Sequence, residues 1–326
     1  MVYLSRPVLS VTLNLYAWLR YPHLLSRYWR TFRQFPDVAF PRSFNEKLLW
    51  RKVFDRDPRF GPMTDKLAAR DIVRAVVPEV ATPEIFWSGD TPEDLPPEIL
   101  QRPCVLKTNR GSGWNMFNWT ANHLNWPEVV SYFKSKTKRV YGHRLGEWTY
   151  GMFKQKFYAE ELFEDPNGRV PDDFNFHIFG GRVLTITLIH DRFGDRAHAS
   201  LNRDFSPTDS VWEQYRVYDD AQFEAIHYKM IEVAERLAVG TDYIRVDLFC
   251  HNDRIYFREF TFFPGSGLSK RNMGEGELER NTVWDLSRAS FLAGAETGWK
   301  QAYRKLLDAD FATAMDELKL YRNTPA

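Results

Sequence analysis

The sequence predicts an α+β protein, with its strands gathered into hairpins and its helices concentrated at the two ends of the chain. Two hairpin signals carry that reading. In Asp242–Gly267, DYIRVDLFCHNDRIYFREFTFFPGSG, the β-branched and aromatic runs Tyr243–Cys250 and Ile255–Phe263 flank His251-Asn252-Asp253-Arg254. Asn and Asp tolerate turn conformations that β-branched residues do not. Phe174–Phe179 and Val183–His190 pair in the same manner around Gly180-Gly181. Helical patterns lie outside these hairpins, at 8–20 and 23–34 near the N-terminus and at 284–293 and 299–321 near the C-terminus.

The central hairpin also carries the first candidate chemistry. Alternation puts Arg245 and Asp247 on one face of the first strand and Ile244, Val246 and Leu248 on the other. On the second strand Glu259 and Thr261 are expected to share a face with Phe257. With an odd-length turn Asp247 lies opposite Glu259, and two facing carboxylates repel unless a divalent cation sits between them. With an even-length turn the acids fall on opposite faces, and an acid on a sheet face is then merely solvated. Pro264-Gly265-Ser266-Gly267 follows directly, either a loop whose free N–H groups hold an anion or an ordinary turn.

Bulk properties narrow the field. The chain has 326 residues, enough for a substantial core and two or three subdomains. Lys plus Arg number 44 against 43 Asp plus Glu, a net charge of +1, which argues against nucleic acid as the main partner. Aromatic residues make up 16%, with core packing the simplest reason and sugar or membrane handling a further one. Cys104 and Cys250 sit in apolar strand-like runs, as expected of free thiols in a reducing, cytoplasmic compartment.

At the N-terminus, Val8 to Leu19 is mostly apolar and is followed by Arg20, Arg27, Arg30 and Arg33 among Tyr21, Tyr28 and Trp29. It is too short to span a bilayer and lacks the charge order of a signal peptide. A helical cap on the main domain is the preferred reading; the other is an interfacial helix giving peripheral membrane contact. Ser43 with Glu46 forms a capping-box signature for a helix beginning at Phe44. Asp65-Lys66 opens a helix expected over 66–76, where a lysine in the first turn opposes the dipole and hints at an anionic ligand. Residues 81–103 read as a Pro-rich connector with a short strand at Glu84–Trp87. A strand from Cys104 then ends at Lys107 and runs into Arg110-Gly111-Ser112-Gly113, whose backbone N–H groups and nearby lysine suit phosphate. A flexible surface loop would look alike. A helix over 126–138, a strand over 157–163 and an amphipathic helix over 223–238 complete the order.

Together these segments resemble a known family. Asp65-Lys66, Val105-Leu106-Lys107 with Arg110–Gly113, Ala159-Glu160-Glu161, Arg245-Val246-Asp247, and Glu259 ahead of Pro264-Gly265 resemble, in order, the motifs of ATP-grasp enzymes. More narrowly, Phe44-Asn45-Glu46-Lys47-Leu48, Gly111-Ser112-Gly113-Trp114-Asn115 and Glu259-Phe260-Thr261-Phe262 with Pro264–Gly267 resemble the TupA-like branch, associated with teichuronopeptide and other surface-polysaccharide biosynthesis. The resemblance covers roughly residues 40 to 270. It implies two α+β subdomains sandwiching ATP, and a carboxylate–amine ligase working through an acyl phosphate.

By motif match, Lys66, Lys107 and the Arg110, Gly111, Ser112, Gly113 loop would contact ATP phosphates, and Glu160, Glu161 and Leu162 would form the nucleotide hinge. Asp247 and Glu259, with Thr261, would hold Mg²⁺, and Arg245 would steady the oxyanion. Many ATP-grasp enzymes carry Asn where this chain has Thr261, so a second Mg²⁺ is in doubt; the branch often has a lysine near Asn175, to which no role is assigned. The acceptor implied is an acidic sugar or glycan, a uronic acid, and the donor an amino acid or other small-molecule amine. Arg192, Pro264, Gly265, Ser266, Gly267 and Lys270 are its candidate contacts, with His190, Arg203 and Arg271 as further cations. The alternatives are an ATP-dependent phosphotransferase on a sugar and a non-catalytic nucleotide-binding module of a polysaccharide assembly. The expected organisation is a helical extension at 1–39, an N-terminal region at 40–103, a small subdomain at 104–160, a large subdomain at 161–280 and a helical cover at 281–326.

Overall fold

The computed structural model describes residues 5–138, 140–165, 168–208, 215–270 and 275–323. The chain opens with helices α1 (Arg6–Arg20) and α2 (Pro22–Phe32), each with proline in its first turn, where a missing N–H costs nothing. Helix α3 (Phe44–Val53) starts on the expected capping box: the Ser43 hydroxyl accepts from the Glu46 N–H, and the Glu46 carboxylate accepts from the Ser43 N–H. Two short helices follow, α4 (Phe60–Thr64) and α5 (Ala68–Val76).

A four-stranded antiparallel sheet is built from β1 (Ile85–Gly89), β2 (Cys104–Thr108), β3 (Asn115–Asn118) and β4 (Phe157–Glu160), in the order β1-β4-β2-β3. Its edge strand β1 comes from the stretch read as connector, and pairing with β4 is what draws it in. Helix α6 (Trp126–Thr137) covers the sheet through Val129 and Phe133, which pack with Cys104, Leu106, Phe157 and Ala159.

The larger sheet has the order β10-β9-β5-β6-β7-β8. Its strands are β5 (Asp173–Phe179), β6 (Arg182–His190), β7 (Ala197–Asn202), β8 (Arg216–Val217), β9 (Tyr243–His251) and β10 (Arg254–Thr261). All neighbours are antiparallel except β7 and β8. The two-residue period sorts its faces. Phe174, Phe176, Ile178, Ile186, Leu188, Ile244, Val246 and Leu248 are buried in the main core, to which α7 (Ala225–Leu237) adds Met230, Ile231 and Ala234. Asn175, Thr187, Arg245 and Asp247 lie on the opposite, polar face.

The same core takes in Leu9, Leu13, Ala17, Leu24, Leu25 and Tyr28, so α1 and α2 do cap the domain. The chain closes with α8 (Glu275–Thr282) and the long α9 (Gly298–Asn323). The helix expected at 284–293 is instead two 3₁₀ turns, Leu286–Arg288 and Ser290–Leu292. Asp285 ties its carboxylate to the Ser287 N–H, and Ala289 is extended between them. Cys104 and Cys250 are free thiols. Among the described residues no helix is long and apolar enough to cross a membrane.

Candidate active site

Asn252-Asp253 makes a two-residue turn, both residues with positive φ (49° and 55°) and His251 paired with Arg254. That is the even-length turn which, left alone, would send Asp247 and Glu259 to opposite faces. A β-bulge corrects it. Pairing steps from Phe257↔Leu248 to Glu259↔Asp247, leaving Arg258 as the extra residue, and Thr261 then faces Arg245. Phe257 therefore does not share a face with Glu259, contrary to simple alternation. It points into the core while Glu259 points into a cleft.

The cleft lies between the two sheets and has a volume of about 330 Å³. Lys66, Lys107, Gly111, Ser112, Gly113, Glu160, Glu161, Leu162, Arg192, Arg245, Asp247 and Glu259 all line it. Arg245 lies on the polar face between the acids. Its Nε donates to Asp247 Oδ1 at 2.7 Å, and its Nη2 donates to Asp247 Oδ2 at 2.5 Å and to the Thr261 hydroxyl at 3.0 Å. Nη2 is also 3.8 Å from Glu259 Oε1. Lys66 reaches Glu259 Oε2 at 3.0 Å and donates to the Gly111 carbonyl at 2.7 Å, joining the glycine loop to the acid. Lys66 stands just before α5, not within its first turn, because the Asp65 carboxylate caps Leu67.

These contacts set the charge states. Burial pushes the Asp247 carboxyl up, against the pull of Arg245. Burial acts on Glu259 in the same sense, yet Lys66, Arg245 and Arg258 outweigh it and hold that carboxylate well below its usual range. Burial lowers the Lys107 ammonium, and Glu160 opposes the shift. Glu160 is buried and pairs with both Lys107 and Arg70, so its carboxylate fixes the lysine.

In the glycine loop, Gly111 and Gly113 have φ of 106° and 72°, which a side chain at either position would strain. A Cβ on Gly111 would also meet Tyr141 and Trp114 at 3.2–3.3 Å. Tyr141 and Trp114 pack edge to face beside the loop, their ring centroids 5.2 Å apart. Arg110 is turned away from the cleft, its guanidinium 5.4 Å from the centre of the Phe153 ring. In the hinge, the Glu161 N–H donates to the Glu84 carbonyl, and Phe163 packs on Phe249 and Tyr256.

Other expected contacts lie elsewhere. Pro264–Gly267 is a 3₁₀ turn packed on α3, outside the cleft. Lys52 donates to the Ser266 carbonyl and hydroxyl there, and a Cβ on Gly267 would lie 3.0 Å from Leu48. Lys270 and Arg203 are exposed and His190 is half-buried, and all three lie apart from the cleft lining; His190 is engaged by Asp172 and Arg203 by Glu235. Arg271 lies outside the described residues.

Conversely, Arg70, Arg196 and Arg258 line the cleft without having been singled out, and so does Asn175, to which the sequence reading assigns no role. Arg258 pairs with the buried Asp173, which also takes Arg192. Asn175 sits opposite Asp247 on the neighbouring strand, so Asn175, Asp247 and Glu259 form one row across three strands. Asn175 is a nearly buried residue on the wall of the cleft. Its signal was the alternation of β5, which puts it on the polar face.

Among the described residues no group of three or more His, Cys, Asp or Glu is gathered. The donors available to a cation are thus two cross-strand carboxylates and neutral oxygens, a set that suits a hard ion also coordinated by phosphate, as Mg²⁺ is. Arg245 and Lys66 already neutralise this spot, as a divalent ion would.

The profile of the TupA-like ATP-grasp family matches residues 46–277, most of the chain and all of the cleft. The chain belongs to that family. This TupA-like protein accordingly has the ATP-grasp fold, its two sheets facing across the cleft. It is similar to D-alanine–D-alanine ligase from Bacillus anthracis at 16% identity, over 85% of this chain and 76% of that one, with a TM-score of 0.42. The ATP complex of that ligase gives 15%, 79%, 66% and 0.38. The ATP-grasp ligase PsnB with its minimal precursor, Mg and ADP gives 13%, 82%, 66% and 0.36. A search of the curated proteins returned no match.

Proposed function

We propose that this TupA-like protein is an ATP-dependent carboxylate–amine ligase. The observation that carries the reading is the bulge-enforced pairing of Asp247 with Glu259 in the same cleft as Lys66, Lys107 and the glycine loop. Phosphoryl transfer asks little covalent chemistry of the protein and much positioning and charge neutralisation. Here the N–H groups around Gly111–Gly113 and the Lys66 and Lys107 ammonium groups would hold the triphosphate. Asp247 and Glu259 would hold Mg²⁺, with Asn175 presenting a neutral oxygen beside them, since the Thr261 hydroxyl already accepts from Arg245. A cation bound there would supply neutralisation of phosphate charge.

The acceptor carboxylate attacks the γ-phosphorus, ADP leaves and an acyl phosphate forms. The amine then adds to the carbonyl, the tetrahedral oxyanion collapses, and inorganic phosphate leaves as the nitrogen loses its proton. Arg245, which the Asp247 carboxylate and the Thr261 hydroxyl hold on the polar wall of the cleft, would steady that oxyanion. The acceptor we favour is a uronic-acid carboxylate of a surface polysaccharide or its precursor. Arg192 and Arg196 on the cleft wall are the cations that would recognise it. Arg196 has no carboxylate partner among the described residues and lies 4.5 Å from the centre of the Tyr215 ring.

ATP turnover against a panel of uronic acids and amino acids, with mass spectrometry of the product, tests the reading. Phosphate release that requires both substrates, with an amide product, is expected. A phosphorylated sugar with no amine requirement would assign the protein to phosphotransferases instead.

A further inference from the structure

No Asp or Glu occurs before Asp37, whereas arginine occurs at positions 6, 20, 27, 30 and 33. In the structure α1 has two unlike apolar faces. Leu9, Leu13 and Ala17 are buried against the core, while Val8, Val11, Leu15 and Leu19 stand outward in one stripe at 46, 68, 54 and 76% exposure. Capping the core needs only the first face. The outward stripe is continued by aromatic rings, since Trp18 packs on Phe35 and Phe35 on Trp29 (centroids 6.0 and 6.2 Å apart), with Phe35 itself 70% exposed.

Arginines border this surface. The Arg33 guanidinium lies 5.2 Å from the centre of the Trp29 ring, and Arg30 follows on the same exposed side of α2. Beyond Arg30 lies a shallow groove of about 540 Å³ lined by His23, Ser26, Arg27, Arg30, His143 and Arg144, with no acidic residue. Among the described residues no carboxylate lies within ion-pair distance of Arg27, Arg30, Arg33 or Arg144; Arg6 alone of the N-terminal arginines has one, Asp310. Burial, together with His143 and Arg27, pushes the His23 imidazole down, as a locally positive field should.

We infer that the α1–α2 pair docks on the surface of an anionic phospholipid bilayer, the aliphatic stripe and aromatic rings entering the interface and the arginine groove taking phosphate headgroups. Aliphatic, tryptophan and arginine side chains without counter-charges on one face are the combination that interfacial binding needs, and among the described residues no helix is long and apolar enough to span a bilayer. A second copy of the chain would instead bring arginines against arginines. The inference stands independently of the ligase chemistry.

The test uses the full chain with vesicles of phosphatidylcholine alone and of phosphatidylcholine mixed with phosphatidylglycerol, read by co-sedimentation. Binding to the anionic vesicles only, weakened by salt, is expected. Arg27→Ser with Arg30→Ser should weaken it about twenty-five-fold, at roughly fivefold per arginine near an anionic surface. Leu15→Glu, in the middle of the outward stripe, should abolish it while leaving the ATP-induced thermal shift unchanged. Equal partition to neutral vesicles, or indifference to these substitutions, overturns the inference. So does saturable binding of inorganic phosphate, or a dimer dissolved by Leu15→Glu, where no vesicle binding is seen.

Discussion

Asp247 and Glu259 face each other across β9 and β10 with Arg245 and Lys66 between and beside them, so removing either charge has a definite consequence. Asp247→Asn and Glu259→Gln should each lower turnover by at least about a hundredfold. Melting temperature and circular dichroism should stay close to those of the parent protein. Near-normal rates in either variant would remove the metal assignment. Lys107→Ala should leave the buried Glu160 still paired with Arg70 and cut the ATP-induced rise in melting temperature, measured by differential scanning fluorimetry. Residue types and their order made these positions legible: a lysine ending a strand, two acids on a hairpin, glycines about a serine. Arg70 and Arg258 were not legible, because what places them is a tertiary ion pair with Glu160 or Asp173 and no local pattern announces it.

At the scale of elements, the hairpin shows how much a single extra residue decides. Its turn chemistry and its strands could be read directly, but the bulge at Arg258 could not, since alternation on either side of it looks regular. The Pro264–Gly267 turn is the converse case. It reads as either an anion loop or an ordinary turn, and packing makes it a support for α3, with the buried Lys52 ammonium donating to the Leu145 carbonyl at 2.6 Å, the Ser266 carbonyl at 2.9 Å and the Ser266 hydroxyl at 2.8 Å. Lys52→Met leaves those buried acceptors unmatched and should cost about 3 kcal/mol in urea unfolding. Burial lowers the Lys52 pKa to about 8. From there up to the ordinary lysine range the unfolded chain holds a proton that the folded chain has released, so stability rises with pH across that window. Denaturation at both ends of the window should show a shallower rise in Lys52→Met than in the parent; equal slopes would dissociate Lys52 from the effect.

The whole molecule places two sheets across a cleft and ties the N-terminal helices into the larger core through Leu9, Leu13, Ala17, Leu24, Leu25 and Tyr28. Deleting residues 1–35 should therefore expose that core and yield insoluble protein, scored by the soluble fraction on expression. A soluble truncation with normal ATP-induced stabilisation would show the helices to be dispensable to the fold. The sequence supported an α+β architecture, a helical cap and a short strand at Glu84–Trp87 inside the connector; the strand runs over Ile85–Gly89 instead, because pairing with β4 and not local pattern sets the bounds of a short edge strand among prolines.

The cation site joins these scales, and crystals grown with Mn²⁺ and a non-hydrolysable ATP analogue address it directly. An anomalous peak bonded to the carboxylates of both Asp247 and Glu259 is the expected result. A peak on the phosphates alone, with neither acid in its coordination sphere, would contradict it.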